Sequence, residues 1–103
     1  QDTVPLFAER HPHIKFDLSF EINNDLRAGE ILKYIFNKYS GYENSSYIFD
    51  EYFAPDTNIR TIGIRIILRS FDKTISDKEL TEIRKNLIQD ITVTFSAILK
   101  DYE

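Results

Sequence analysis

From Arg60 to Leu68 the chain alternates. Ile62, Ile64, Ile66 and Leu68 share one parity; Thr61, Gly63, Arg65, Ile67 and Arg69 share the other. A period of two carried by β-branched residues predicts a strand with one buried face. Phe16, Leu18, Phe20 and Ile22 alternate with Asp17, Ser19 and Glu21 and predict another. Tyr47, Phe49, Glu51 and Phe53 alternate with Ile48, Asp50 and Tyr52, which predicts a third, with the first set in the buried phase. Pro55-Asp56-Thr57-Asn58 is turn chemistry, and it joins this strand to the Arg60–Ser70 strand as a hairpin.

Between the strands the period changes. Ala28, Ile31, Leu32, Ile35, Phe36 and Tyr39 recur at three- and four-residue steps with Glu30, Lys33, Asn37 and Lys38 between them, the pattern of an amphipathic helix. Asn23-Asn24-Asp25 offers its N-cap, and Gly41 falls where a left-handed stop is expected. Ser76-Asp77-Lys78-Glu79 is an S-x-x-E capping box opening a second helix, whose stripe is Leu80, Ile83, Leu87 and Ile91. That helix is expected to weaken at Thr92-Val93-Thr94, a β-branched run. The tail from Ala97 to Tyr102 allows a short last strand in either of two registers. Residues 1–14 lack a period and read as an irregular arm, with one domain over 15–103.

The order β-α-β-β-α-β predicts an α+β fold, the ferredoxin-like βαββαβ sandwich: an antiparallel sheet with two helices on one face. The other face is open. It is expected to carry Asp17, Ser19, Asp50, Tyr52, Thr61, Gly63, Arg65 and Arg69.

Composition narrows the chemistry. A length of 103 residues suits one domain, and 42% hydrophobic residues suffice for one core. There is no Cys, which excludes disulfides, zinc–thiolate and iron–sulfur sites. No apolar run approaches the ~18 residues of a membrane span, and no signal peptide is visible. The chain opens on Gln1, which points to a piece of something longer. His11 and His13 flank a proline without a third ligand, so no metal site is expected. Asp50 and Glu51 are strand neighbours facing opposite ways, not a catalytic acid pair. No nucleotide-binding loop or nucleophile–base pair is evident. The formal net charge of −4 argues against a nonspecific nucleic-acid binder.

Three stretches resemble one family. His11-Pro12-His13-Ile14-Lys15-Phe16-Asp17-Leu18 resembles its Pro-x-aliphatic-x-Arg-Asp-Leu opening strand, and Ile48-Phe49-Asp50-Glu51-Tyr52 its aliphatic-Phe-Asp-x-Tyr strand. Arg60-Thr61-Ile62-Gly63-Ile64 through Leu68-Arg69-Ser70, then Lys73-Thr74-Ile75-Ser76-Asp77-Lys78-Glu79-Leu80, resembles its remaining signature. The family is the ferredoxin-fold anticodon-binding domain, found at the C-terminus of the bacterial phenylalanyl-tRNA synthetase β subunit and in the single-chain organellar enzyme. Two positions depart from it. Phe16 stands where the family has Arg and, in phase with Leu18 and Phe20, extends the core; Glu51 takes a buried-phase position that favours an aliphatic, and a frayed strand end would leave it in water.

The resemblance implies a non-catalytic module that reads the tRNA(Phe) anticodon loop. Tyr52 would stack an anticodon base, Asp50 would accept from its Watson–Crick edge, and Thr61 and Ser19 would contact neighbouring groups. Arg65, Arg69, Lys15 and Arg60 would meet phosphates. The acids Glu30, Asp77, Glu79, Glu82 and Asp90 fall on the helices, which would keep them off the open face. Further partners would be the other domains and the catalytic subunit of a parent synthetase. This domain would need no cofactor; ATP and magnesium would serve the parent ligase. The arm's look of a continuation from a preceding domain favours a bacterial cytoplasm over an organelle.

Two bland readings stand beside this one: Tyr52 as an edge-strand aromatic without a ligand, and Asp50 as the surface partner of Arg65. The alternative function is a ferredoxin-like protein-interaction or ligand-sensing domain, which the acidic charge favours and the fold permits. An acylphosphatase would need a phosphate-cradling Arg loop near the first strand. An RNA-recognition motif would need aromatics along the Ile62–Ser70 strand. Neither is present.

Overall fold

A computed structural model describes residues 11–100. The elements run β1 (Ile14–Asn23), α1 (Ala28–Lys38), β2 (Tyr42–Phe53), β3 (Ile59–Ser70), α2 (Asp77–Phe95) and β4 (Ile98–Leu99). One four-stranded antiparallel sheet has the order β2-β3-β1-β4, as the βαββαβ reading requires. The short final strand pairs Phe20 with Leu99 and Glu21 with Ile98, and the Lys100 amide donates to the Ser19 carbonyl at 2.7 Å.

The core is the meeting of period two with period 3.6. Leu18, Phe20 and Ile22 of β1 and Ile62, Ile64, Ile66 and Leu68 of β3 form one buried cluster with Ile31 and Ile35 of α1 and Ile83, Leu87 and Ile91 of α2. Both helices therefore cover the same sheet face. Each such side chain contributes about 1.5–3 kcal/mol when removed from water. Phe16 packs half-buried against this cluster, in phase with Leu18.

Three local expectations are corrected. Asn23-Asn24-Asp25 does not cap α1. Asn23 Oδ1 accepts from the Asp25 amide at 2.8 Å and from Asn58 Nδ2 at 3.2 Å, tying this loop to the hairpin turn; Arg27 stands at the N-cap without a side-chain bond. Gly41 is not a left-handed stop, because no described glycine has positive φ. Instead Asn44, reaching across from β2, donates to the Tyr39 carbonyl at 2.8 Å and satisfies the helix end. Finally, α2 does not weaken at Thr92-Val93-Thr94 but runs to Phe95. Ile91 is buried and the Phe95 ring meets Tyr34 edge-on at 5.8 Å. That packing outweighs a propensity deficit of about 0.5 kcal/mol per residue.

Ser76 caps α2, accepting from the Glu79 amide at 3.0 Å. Glu79 does not complete the box. Its carboxylate accepts from the Tyr42 hydroxyl at 2.9 Å and so anchors α2 to β2. The expected arm lies outside the described residues up to residue 10, as does the tail beyond residue 100.

Candidate functional site

The uncovered sheet face is built from cross-strand rows. Tyr52, Thr61 and Glu21 form one row; Asp50, Gly63 and Ser19 the next; Tyr47, Arg65 and Asp17 the third. Lys15 and Ile67 follow, then Arg69 and Glu43. Successive rows are two residues apart on β3, about 7 Å.

The rows hold because of a β-bulge. Ile48 pairs with Ile64, but Asp50 pairs with the next residue, Gly63, so Phe49 is the extra residue. The single alternation expected over residues 47–53 is thus broken, and Tyr47 is not in the buried phase. Ile48 packs against the core, Tyr47 is 45% exposed on the open face, and the bulge restores that face to Asp50 and Tyr52. Phe49 also leaves the buried phase. Its ring lies over Gly63, where an added Cβ would fall 2.9 Å from Cζ. Gly63 is buried under it. Gly63, an isolated glycine inside a strand pattern, is the sequence signal for this bulge.

Tyr52 is 59% exposed, opposite Thr61. Glu51, opposite Ile62, is exposed at the strand end, with Oε2 3.2 Å from Arg60 Nε. That is an ion pair misaligned for a hydrogen bond, so Nε has no hydrogen-bond partner among the described residues. Arg60 itself is buried on the helix side. It donates to the Leu26 carbonyl through Nη2 at 2.5 Å and lies 5.5 Å from the Phe53 ring centroid. It is not part of the open face, contrary to its expected phosphate role.

Charge on the face is arranged in pairs. Arg65 does not pair with Asp50; it chelates Asp17, with Nε–Oδ1 2.8 Å and Nη2–Oδ2 2.9 Å. This hydrogen bonding holds the Asp17 carboxyl below its ordinary range and pushes Arg65 further up. Arg69, buried, is bound by Glu43. Glu21 meets Lys100 at 3.3 Å, a cation that the strand pattern did not flag. The acids are therefore not confined to the helices: Asp17, Glu21, Glu43 and Asp50 all stand on the sheet face. Three are answered by cations. Asp50, exposed, has no hydrogen-bond or ion-pair partner among the described residues. Lys15 is exposed beside Asp17.

The face thus offers an exposed aromatic ring, an unengaged carboxylate two residues away, and the hydroxyls of Thr61 and Ser19 across the same two rows. Among the described residues no group of three or more His, Asp or Glu could hold a metal ion. Among the described residues no helix is long and apolar enough to cross a membrane.

A family model, the ferredoxin-fold anticodon binding domain, matches residues 9–100. The chain belongs to that family. The chain is similar to part of the phenylalanine–tRNA ligase β subunit of Rickettsia typhi, at 33% identity over 82% of this chain and 11% of that protein. The corresponding subunit of Idiomarina loihiensis is 28% identical over 91% of the chain and 12% of its own length. The chloroplastic β subunit of Phaeodactylum tricornutum is 28% identical over 88% and 13%. The chain spans roughly a tenth of the length of these curated relatives.

Proposed function

We propose that this anticodon-binding domain is the non-catalytic tRNA(Phe)-reading module of a phenylalanine–tRNA ligase β subunit. It reads unpaired anticodon bases on the open sheet face by stacking and edge hydrogen bonds. The observation that carries this is Asp50: it is the one acid of that face left without a cation among the described residues, and it stands beside the exposed ring of Tyr52. Unpaired bases are recognised through stacking on aromatics and through their Watson–Crick edges. A carboxylate accepts two adjacent donors, the pattern that guanine presents through N1–H and its amino group. Thr61 and Ser19, each both donor and acceptor, serve the groups beside that base. Arg65 contributes to the phosphate backbone by exchanging its surface bond to Asp17, a pair worth only ~0–1 kcal/mol. Arg69, buried against Glu43 at the far end of the face, meets phosphate only by leaving that carboxylate.

The catalytic subunit and the remaining domains of the parent ligase are the protein partners in this reading, and ATP and magnesium act there, in the cytoplasm. Paired charges on the face neutralise few phosphates, so binding to RNA has a shallow salt dependence. Tyr52→Ala is expected to weaken binding of a tRNA(Phe) anticodon stem-loop by ~1–3 kcal/mol, the usual worth of a base stack. Fluorescence anisotropy of labelled RNA measures it. Unchanged affinity removes the stacking role. Chemical-shift changes confined to the helices would support the protein-interaction alternative.

A further inference from the structure

The bulge sets Phe49 on the open face without a part in that reading. Phe49 sits between the Ile48–Ile64 and Asp50–Gly63 pairs, with no cross-strand partner. Its ring lies over the Gly63 main chain, close enough that a Cβ there would meet Cζ at 2.9 Å and Cε2 at 3.1 Å. The guanidinium carbon of Arg65 stands 4.9 Å from the ring centroid. That guanidinium is itself fixed by two bonds to Asp17. Phe49, 45% exposed, is thus seated on backbone with a cation over its ring.

We propose that Phe49 is a second base-stacking platform, so that the face holds two unpaired nucleobases of one RNA strand, one at Tyr52 and one at Phe49. This deepens the anticodon-loop reading and rests on it. The spacing fits splayed bases. Tyr52 lies opposite Thr61 and Phe49 covers Gly63, two residues on along β3, about 7 Å. Nucleotides stacked on each other in a duplex strand advance by only about 3.4 Å. The two platforms therefore separate neighbouring bases, as single-stranded recognition does. Asp50, in the row of Gly63, stands between them with its acceptors available to either edge. The Arg65 guanidinium over the Phe49 ring leaves it on exchanging Asp17 for a phosphate, which clears the ring for a base.

The test uses the chain with a labelled hairpin RNA carrying the anticodon loop, and versions in which each loop nucleotide in turn is made abasic. Phe49→Leu keeps apolar bulk over Gly63 but removes the aromatic face. It is expected to weaken binding about 5-fold or more, and the loss disappears against one abasic RNA. That nucleotide differs from the one whose removal cancels the loss in Tyr52→Ala. Gly63→Ala, which displaces the ring without deleting it, weakens contact with the same nucleotide as Phe49→Leu. A Phe49→Leu loss of equal size against every abasic RNA, or no loss, overturns the second platform while leaving Tyr52 its role. Failure of the unsubstituted chain to bind the loop, or indifference to Tyr52→Ala, overturns the anticodon-loop reading and this inference with it.

Discussion

Gly63→Ala puts the bulge geometry to a physical test apart from RNA. The added methyl meets Phe49 Cζ at 2.9 Å, Cε2 at 3.1 Å and Cε1 at 3.3 Å; those three nearest atoms are all side chain. Ordinary carbon contact is about 3.5–4.0 Å, so the ring must retreat by about 0.5–1 Å. It has room, since 45% of it is exposed. If the ring left its seat altogether, roughly half the burial energy of a Phe would go, about 1–1.5 kcal/mol. Losing the Arg65 contact would add about 0.5–1 kcal/mol. Against this, Ala in a strand is favoured over Gly by about 0.5–1 kcal/mol. The net effect runs from a gain of up to about 1 kcal/mol, if the ring only slides, to a cost of about 2 kcal/mol if it leaves its seat. Urea unfolding measures the stability, and aromatic ring shifts of Phe49 and Arg65 Nε report the displacement. A loss above about 3 kcal/mol would mean that the methyl strikes main chain rather than a yielding ring. Unmoved Phe49 and Arg65 signals would mean that the ring does not lie over Gly63.

Other outcomes follow from single groups. Ser96 ends α2 with φ 55°, left-handed for a residue with a side chain, so Ser96→Gly is expected to raise stability by up to about 1 kcal/mol in the same unfolding assay. Burial, before the nearby Asp90 charge, pushes the Tyr39 hydroxyl up from 10.0 to about 12. Because the folded state favours the protonated phenol, its stabilising contribution is intact below pH 10 and lost as pH rises toward 12; Tyr39→Phe should flatten the stability profile in that window. Asp17 behaves in the opposite sense. Its hydrogen bonds to Arg65 lower its pKa, so its contribution is present above its unfolded value, near 3.8, and fades as pH falls below it. On so exposed a pair the effect is under about 1 kcal/mol, and Asp17→Asn should remove it from acid titrations.

The elements were legible in the chain because their causes are local. Alternation from Phe16 to Ile22 and from Arg60 to Leu68, the stripe from Ala28 to Tyr39, and Ser76 at its cap each operate within a few residues. Their order then leaves few ways to stack two helices on one antiparallel sheet. The exposure of Tyr52 and its sharing of a face with Asp50 were readable for the same reason: they lie two apart on one strand.

What escaped that reading needed a partner distant in sequence. The bulge at Phe49 exists only when β2 lies against β3, where Gly63 leaves space for the ring, and it alone moves Tyr47 to the open face. The end of α1 is satisfied by Asn44 of β2 rather than by Gly41, and α2 survives its β-branched run because Phe95 finds Tyr34. Arg65 chelates Asp17 because β1 and β3 pair in the register that sets them opposite; Asp50 is left unengaged as a result. Backbone periodicity is written residue by residue in the chain. Register, ion-pair choice and the seating of a ring are decided between strands, when the sheet closes.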